Sequence, residues 1–173
     1  IPEQALLELY FLGDNSVTLE PRVSLCNPGG QDSNSGDIGF VDNPRILREK
    51  WENSFNVPVA EALDNMFKQD PADRSPLLEQ LQAITVSALL PFDGVPRRLV
   101  VVSDFLHHTA EFSHYGNVAI QDYGSFKDLD YYDSVRVDMR DIEVQMWYLH
   151  RPGALPSSGE NSPHGKWWQA YLR

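Results

Sequence analysis

The sequence of 173 residues contains a single cysteine, Cys26. One cysteine cannot form a disulfide within the chain, so the sequence carries no mark of an oxidising compartment and does not exclude one. A cysteine nucleophile would need a base within hydrogen-bond reach, and the sequence singles out no histidine for that role. Because Cys26 follows the apolar Leu25, we expect a small, buried side chain at this position.

Basic residues are also scarce. The chain has 14 lysines and arginines against 25 aspartates and glutamates, which gives a net charge of −11. An acidic surface repels phosphate backbones, and the longest basic cluster is the pair Arg97-Arg98, directly before an apolar stretch. We therefore expect no nucleic-acid partner.

Long apolar runs are missing as well. No stretch approaches the roughly 20 apolar residues of a membrane-spanning helix, so we expect no membrane span within this chain. The sequence opens at Ile1-Pro2-Glu3 and contains no recognisable signal peptide. We expect the natural chain to continue upstream, which leaves the compartment open: cytoplasmic, or membrane-tethered if an anchor precedes Ile1.

Four segments have the composition of β-strands. Residues 6–12 form a nearly continuous apolar run, and residues 17–25 alternate loosely around Pro21, so together they predict an antiparallel edge hairpin. Residues 98–103, Arg-Leu-Val-Val-Val-Ser, are apolar without alternation, which is typical of a central parallel strand covered on both faces. Residues 141–149 alternate between apolar and polar positions and predict one further strand.

Helices are predicted between these strands. Asn43-Pro44, Ser75-Pro76 and Ser162-Pro163 each combine a capping residue with a proline suited to the first turn. Pro58 should interrupt the first helix near Asn56, because proline lacks the backbone donor. The last helix carries apolar residues four apart, and we expect its pair Trp167-Trp168 to form a docking face.

The order of these elements predicts the fold class. Strands that alternate with helices favour a parallel sheet with helices on both faces. We therefore expect one α/β domain over residues 1–173, with a doubly wound, mostly parallel sheet and an antiparallel edge hairpin.

Short motifs within this pattern resemble the von Willebrand factor A domain. In that family a central strand ends in Ser-Asp, as residues 99–104 do, and a loop like residues 73–76 (Asp-Arg-Ser-Pro) precedes a helix. Residues 24–29, 43–47 and 102–106 are similar to a bacterial group of A-domain-like proteins. The resemblance covers most of the chain and implies the later two-thirds of the A-domain fold.

The resemblance also implies a site for a divalent cation at the carboxyl ends of the strands. Mg²⁺ suits such a site because it prefers hard oxygen ligands and keeps several waters. By this correspondence Ser75 supplies the hydroxyl of the second loop and Asp104 the carboxylate of the third. The first loop, D-x-S-x-S, would precede this chain, unless Asp14, Ser16 and Thr18 take its place. Without a metal, Ser75 would be a helix cap, and Asp104 would bond the next loop.

Histidines near Asp104 offer a second chemistry. If the segment from Asp104 to Glu111 were helical, Asp104 would face His108, and His107 would face Glu111, each one turn apart. Such pairs can hold zinc. Adjacent histidines point to different faces of a helix, however, and no H-E-x-x-H pattern is present, so surface or packing roles compete with this interpretation.

The sequence therefore predicts a non-enzymatic, A-domain-like module that contacts a protein partner, with an incomplete metal-ion-dependent adhesion site. The alternative is a metal-dependent hydrolase that uses Asp104 with His107, His108 or Glu111. A further hypothesis is a structural subunit whose missing strand comes from elsewhere in the protein or from a second copy, because an open sheet edge needs a cover. Self-association into a homo-oligomer belongs to this hypothesis.

Overall fold

A computed structural model describes residues 1–13, 20–30, 43–66, 68, 74–115, 122–149 and 161–173. Contacts between residues group the chain into two compact units. The first comprises Ile1–Phe11 and Glu20–Pro71, and the second Leu12–Leu19 and Ala72–Arg173. The expected single domain with a missing first strand stays a prediction.

The first unit contains the predicted hairpin. Strands β1 (Leu6–Leu9) and β2 (Val23–Cys26) pair antiparallel, with Leu6 opposite Cys26 and Leu9 opposite Val23. Both strands are shorter than their apolar runs. The antiparallel pairing of the hairpin is confirmed, but among the described residues the hairpin is a separate sheet and not an edge of the parallel pair.

Helices α1 (Pro44–Trp51) and α2 (Val57–Met66) follow the hairpin, joined by a π-helical turn at Glu52–Asn56. Asn43 caps α1 as predicted, because its side-chain oxygen accepts a hydrogen bond from the backbone N of Arg45 at 3.0 Å. The wide turn lies directly before Pro58, which cannot donate a hydrogen bond to the preceding turn. The predicted interruption near Asn56 is thus a change of helix type.

The second unit contains a parallel pair of strands. Strand β3 (Arg97–Ser103) pairs with β4 (Ile142–Tyr148) in the register Arg97 opposite Ile142 and Ser103 opposite Tyr148. In the described part of this unit, four helices accompany the pair: α3 (Leu77–Ile84), α4 (Tyr123–Lys127), α5 (Asp130–Val135) and α6 (Pro163–Tyr171). A π-helical turn, Thr85–Leu89, and a 3₁₀ turn, Leu90–Phe92, extend α3. The described residues are therefore of the mixed α/β class.

The hydrophobic core of the second unit lies on one face of this pair. It combines leucines of α3, one valine of β3 and the aromatic residues of α6. The fully or almost fully buried members of the cluster include Leu78, Val101, Phe105, Phe126, Val135, Trp167, Trp168 and Tyr171. The expected docking face of the last helix is thus part of the core, because both tryptophans pack inward.

Strand β3 departs from the predicted central strand. Val101 is 4% exposed, whereas its neighbours Val100 and Val102 are 42% and 46% exposed. A run of valines is compatible both with a strand covered on two faces and with a strand covered on one face. Among the described residues, β1–β2 and β3–β4 form two separate two-stranded sheets, and no doubly wound sheet is present there.

Candidate functional site

The carboxyl end of β3 forms a tight, strained turn. The hydroxyl oxygen of Ser103 accepts a hydrogen bond from the backbone N of Phe105 at 2.9 Å, and the carboxylate of Asp104 accepts one from Leu106 N at 3.1 Å. Phe105 adopts a left-handed backbone conformation, with φ of 58°, which costs an L-residue about 1–3 kcal/mol. The bond to Leu106 matches the expectation that, without a metal, Asp104 bonds the following loop.

Ser75 reaches the same region through its backbone. Its N donates to the carbonyl oxygen of His108 at 3.1 Å, and His108 N donates to the Ser75 carbonyl at 2.9 Å. Helix α3 begins later, at Leu77, and the preceding Pro76 supplies no side-chain cap. The prediction that Ser75 caps this helix is therefore wrong: a backbone bridge to the segment after β3 holds it instead.

The metal hypotheses receive no added support from the described part of the chain. There, no group of three or more histidine, cysteine, aspartate or glutamate side chains is placed to hold a metal ion. The alternative first-loop ligands Asp14, Ser16 and Thr18 lie outside the described residues. Mg²⁺ binding by Ser75 and Asp104 stays a prediction.

The segment from Asp104 to Glu111 is not helical. The one-turn pairs expected there, Asp104 with His108 and His107 with Glu111, therefore do not form by helical spacing. His108 is exposed, and its Nδ1 lies 2.8 Å from the hydroxyl oxygen of Ser113. This geometry gives the zinc hydrolase no positive support.

His107 is fully buried and has a defined tautomer. Its Nδ1 accepts a hydrogen bond from Leu78 N at 3.3 Å, at the start of α3, so the ring proton lies on Nε2. That nitrogen is 3.4 Å from the Thr109 hydroxyl and 3.3 Å from the Tyr131 hydroxyl. Burial, with a smaller contribution from the charge of His108, lowers the pKa of His107 from 6.5 to about 3. The side chain is a neutral packing residue.

His164, at the start of α6, links the ends of the two strands. Trp168 Nε1, which can only donate, lies 3.2 Å from His164 Nε2 and 2.9 Å from the carbonyl oxygen of Phe105. His164 Nδ1 lies 2.8 Å from the hydroxyl oxygen of Tyr148, so the two side chains share a hydrogen bond. Burial lowers the pKa of His164 and raises that of Tyr148.

His114 completes this buried cluster. Its Nδ1 lies 3.2 Å from the Phe105 carbonyl and 3.3 Å from His164 Nε2. Burial is the largest cause that lowers the pKa of His114 to about 3, and the charges of His164 and His107 add to it. The rings of His114 and His164 thus lie against the strained turn at Phe105, a contact for which sequence spacing gave no signal.

The opposite face of the parallel pair carries a group of exposed apolar side chains. Four large side chains lie on it: Val100, Val102, Trp147 and Leu149 are 42%, 46%, 58% and 52% exposed. Val102 and Trp147 are directly opposite each other in the register. We call this surface, defined by these four residues, the open sheet face. Single exposed apolar residues are ordinary, whereas contiguous exposed apolar groups are less common on soluble proteins.

The charges beside the open sheet face are largely paired. Arg98 and Glu143 lie opposite each other on the same side of the strands and form an ion pair of 2.8 Å. The run of three valines in β3 does not by itself show which of them point outward, so this face was not predicted. The alternating pattern of β4, with Glu143, Gln145 and Trp147 on one side, was the available signal.

Cys26 is exposed on β2, so the prediction of a buried cysteine is wrong. The strand alternates, and Ser24 and Cys26 lie on its exposed side. Helices long and apolar enough to span a membrane are absent from the described residues.

Comparison with models of protein families, with curated proteins and with solved structures gives no match.

Proposed function

We propose that this protein is a non-enzymatic, A-domain-like interaction module that binds a protein partner through the open sheet face. In this proposal β3 and β4 belong to a doubly wound, mostly parallel sheet. The observation that carries it is the group of four exposed apolar side chains on one face of a parallel pair. Parallel sheets are normally covered on both faces, so a partner that covers this face would remove apolar surface from water.

Trp147 is the expected anchor of the contact. It is the most exposed residue of the open sheet face, at 58%, and tryptophan is enriched among the residues that dominate binding energy. Val102, opposite in the register, provides the neighbouring apolar contact. The Arg98–Glu143 pair lies on the same side, where it fits a polar rim.

The partner that fits is a protein with an apolar contact surface and a basic rim. The chain carries a net charge of −11, so a basic partner would associate faster and a second acidic copy would be repelled. In this proposal Asp104 and Ser75 are remnants of a metal site. Binding of the protein partner therefore does not depend on Mg²⁺.

A synthetic amphipathic helix of leucine and lysine tests the proposal, with affinity measured by calorimetry. Trp147→Ala should weaken binding about tenfold or more. Val95→Ser is the matched control, because Val95 is 53% exposed in the same unit but lies outside the open sheet face. Equal losses for both variants would contradict the proposal.

The metal component is tested with the same probe in MgCl₂ and in EDTA. We expect affinities equal within about a factor of two. A requirement for Mg²⁺ that Asp104→Ala removes would show instead that the cation site is functional.

A further inference from the structure

The outer edge of β3, on the side away from β4, pairs with no other strand among the described residues. Leu149 N donates to the carbonyl of Ser103 at 2.8 Å, which fixes the side of the strand that faces β4. In a parallel ladder, alternate residues direct their N–H and C=O groups to opposite sides. The groups of Leu99 and Val101 therefore face β4, and those of Val100 and Val102 face away from it.

These outward groups have no partner among the described residues. The backbone hydrogen bonds there include none from Arg98, Val100 or Val102 to a further strand. A bare edge of this kind is a template for pairing with another strand.

From this edge we propose that β3 accepts an extended strand from a partner polypeptide, which makes β3 the middle strand of a larger sheet. The inference rests on the proposed function and specifies how the partner binds: by strand addition beside the open sheet face. It goes beyond that proposal because backbone pairing, and not only apolar contact, would determine the affinity.

The chemistry of the incoming strand follows from the two faces of β3. On one side the strand would adjoin Val101 and the core, and on the other it would extend the surface formed by Val100 and Val102. The added strand should therefore be apolar on its core side and of mixed apolar and polar character on its outer side, as β4 is. The net charge of −11 disfavours a second copy of this chain as the donor and favours a strand with basic ends.

The probe is a synthetic peptide with the sequence of β4, residues 142–148, because β4 already pairs with β3 in register. Lysines at both ends supply solubility and the complementary charge, and a peptide of scrambled sequence is the control. Amide hydrogen exchange measured by NMR reports on each edge separately. In the protein alone, the amides of Leu99 and Val101 should be protected, and those of Val100 and Val102 should exchange freely.

On addition of the β4 peptide, exchange at Val100 and Val102 should slow by about tenfold or more, and the scrambled peptide should have no effect. Val100→Pro removes an outward N–H while leaving the bonds to β4 in place, so it should abolish peptide binding and preserve protection at Val101. The wild-type exchange pattern tests the assignment even if this variant fails to fold.

Three results would overturn the inference. Protection of Val100 and Val102 in the protein alone would mean that the edge is already covered. Protection that rises with protein concentration would identify a second copy as the donor. Failure of the β4 peptide to slow amide exchange at Val100 and Val102 would refute strand addition. The proposed function would still stand if Trp147→Ala weakened binding of the leucine–lysine helix.

Discussion

Acidification should destabilise the second unit through its buried histidines. His107 and His114 are 0% and 1% exposed, and burial lowers the pKa of each from 6.5 to about 3. In the unfolded chain these groups take up protons below pH 6.5, whereas the folded chain resists protonation until about pH 3. The folded state therefore has its full stability from these groups above pH 6.5 and loses it as the pH falls through this window.

The size of the effect follows from the two shifts. Each histidine costs about 1.4 kcal/mol of unfolding free energy per pH unit within the window. At pH 5 the two together should cost about 4 kcal/mol, a large part of the 5–15 kcal/mol typical of a domain. His164 adds to the loss, because burial lowers its pKa in the same direction. Two carboxylates oppose this loss of stability. Glu79 lies 3.8 Å from His107 Nδ1, and Asp104 favours the charged form of His164.

Urea unfolding at pH 7 and pH 5, followed by tryptophan fluorescence, measures this loss, because Trp167 and Trp168 lie in the core of the second unit. His114→Asn keeps a polar atom near the position of Nδ1 but cannot titrate, so its stability should depend less on pH. The control is His108→Asn, at an exposed neighbour, which should change the wild-type dependence only slightly, because the charge of His108 contributes less than burial to the shift of His107. Equal stability of the wild-type protein at both pH values would refute neutral burial of these histidines.

Two further predictions concern the backbone. Ser162→Ala should lower the free energy of unfolding by about 1 kcal/mol, because the Ser162 hydroxyl accepts a hydrogen bond from Gly165 N at 2.9 Å. Ser75→Ala is the control, because Ser75 does not cap its helix, and it should lower the free energy of unfolding by less in the same urea titration. A larger loss for Ser75→Ala than for Ser162→Ala would contradict the assignment of the caps. Asp141 is exposed with φ of 62°, so Asp141→Gly should raise the free energy of unfolding by up to about 1 kcal/mol. Asp141→Ala keeps the backbone strain and should not raise it. Thermal unfolding of the two variants measures the difference, and a less stable glycine variant would contradict a strained backbone at this position.

The candidate site shows where sequence patterns stop being informative. Ser103 and Asp104 were predicted at the end of a parallel strand, and they lie there. Some of the histidines around them are far apart in the sequence, since 50 residues separate His114 from His164. No periodicity connects positions so distant. Their neutral state follows from burial, which depends on contacts across long separations in the chain, such as those of His107 with Leu78 of α3 and of His164 with Tyr148 of β4.

The open sheet face was hidden for a related reason. Three consecutive valines at 100–102 satisfy either a strand covered on both faces or one covered on one face. Backbone pairing with β4 decides which valine points inward, and the packing of the helices decides which side of the pair is buried. A sequence pattern specifies the side-chain alternation of a strand, not what lies beyond each face.

By itself, the sequence determined the local elements: the hairpin, the caps at Asn43 and Ser162, the change of helix before Pro58, and both strands of the parallel pair. These depend on backbone propensities and on neighbours a few residues away, which a sequence contains directly. Tertiary structure alone decided that Cys26 is exposed, that Trp167 and Trp168 are core residues, and that three histidines are buried as neutral groups. Those outcomes depend on which surfaces meet across long separations in the chain, where burial sets the free energy of a side chain and its protonation state.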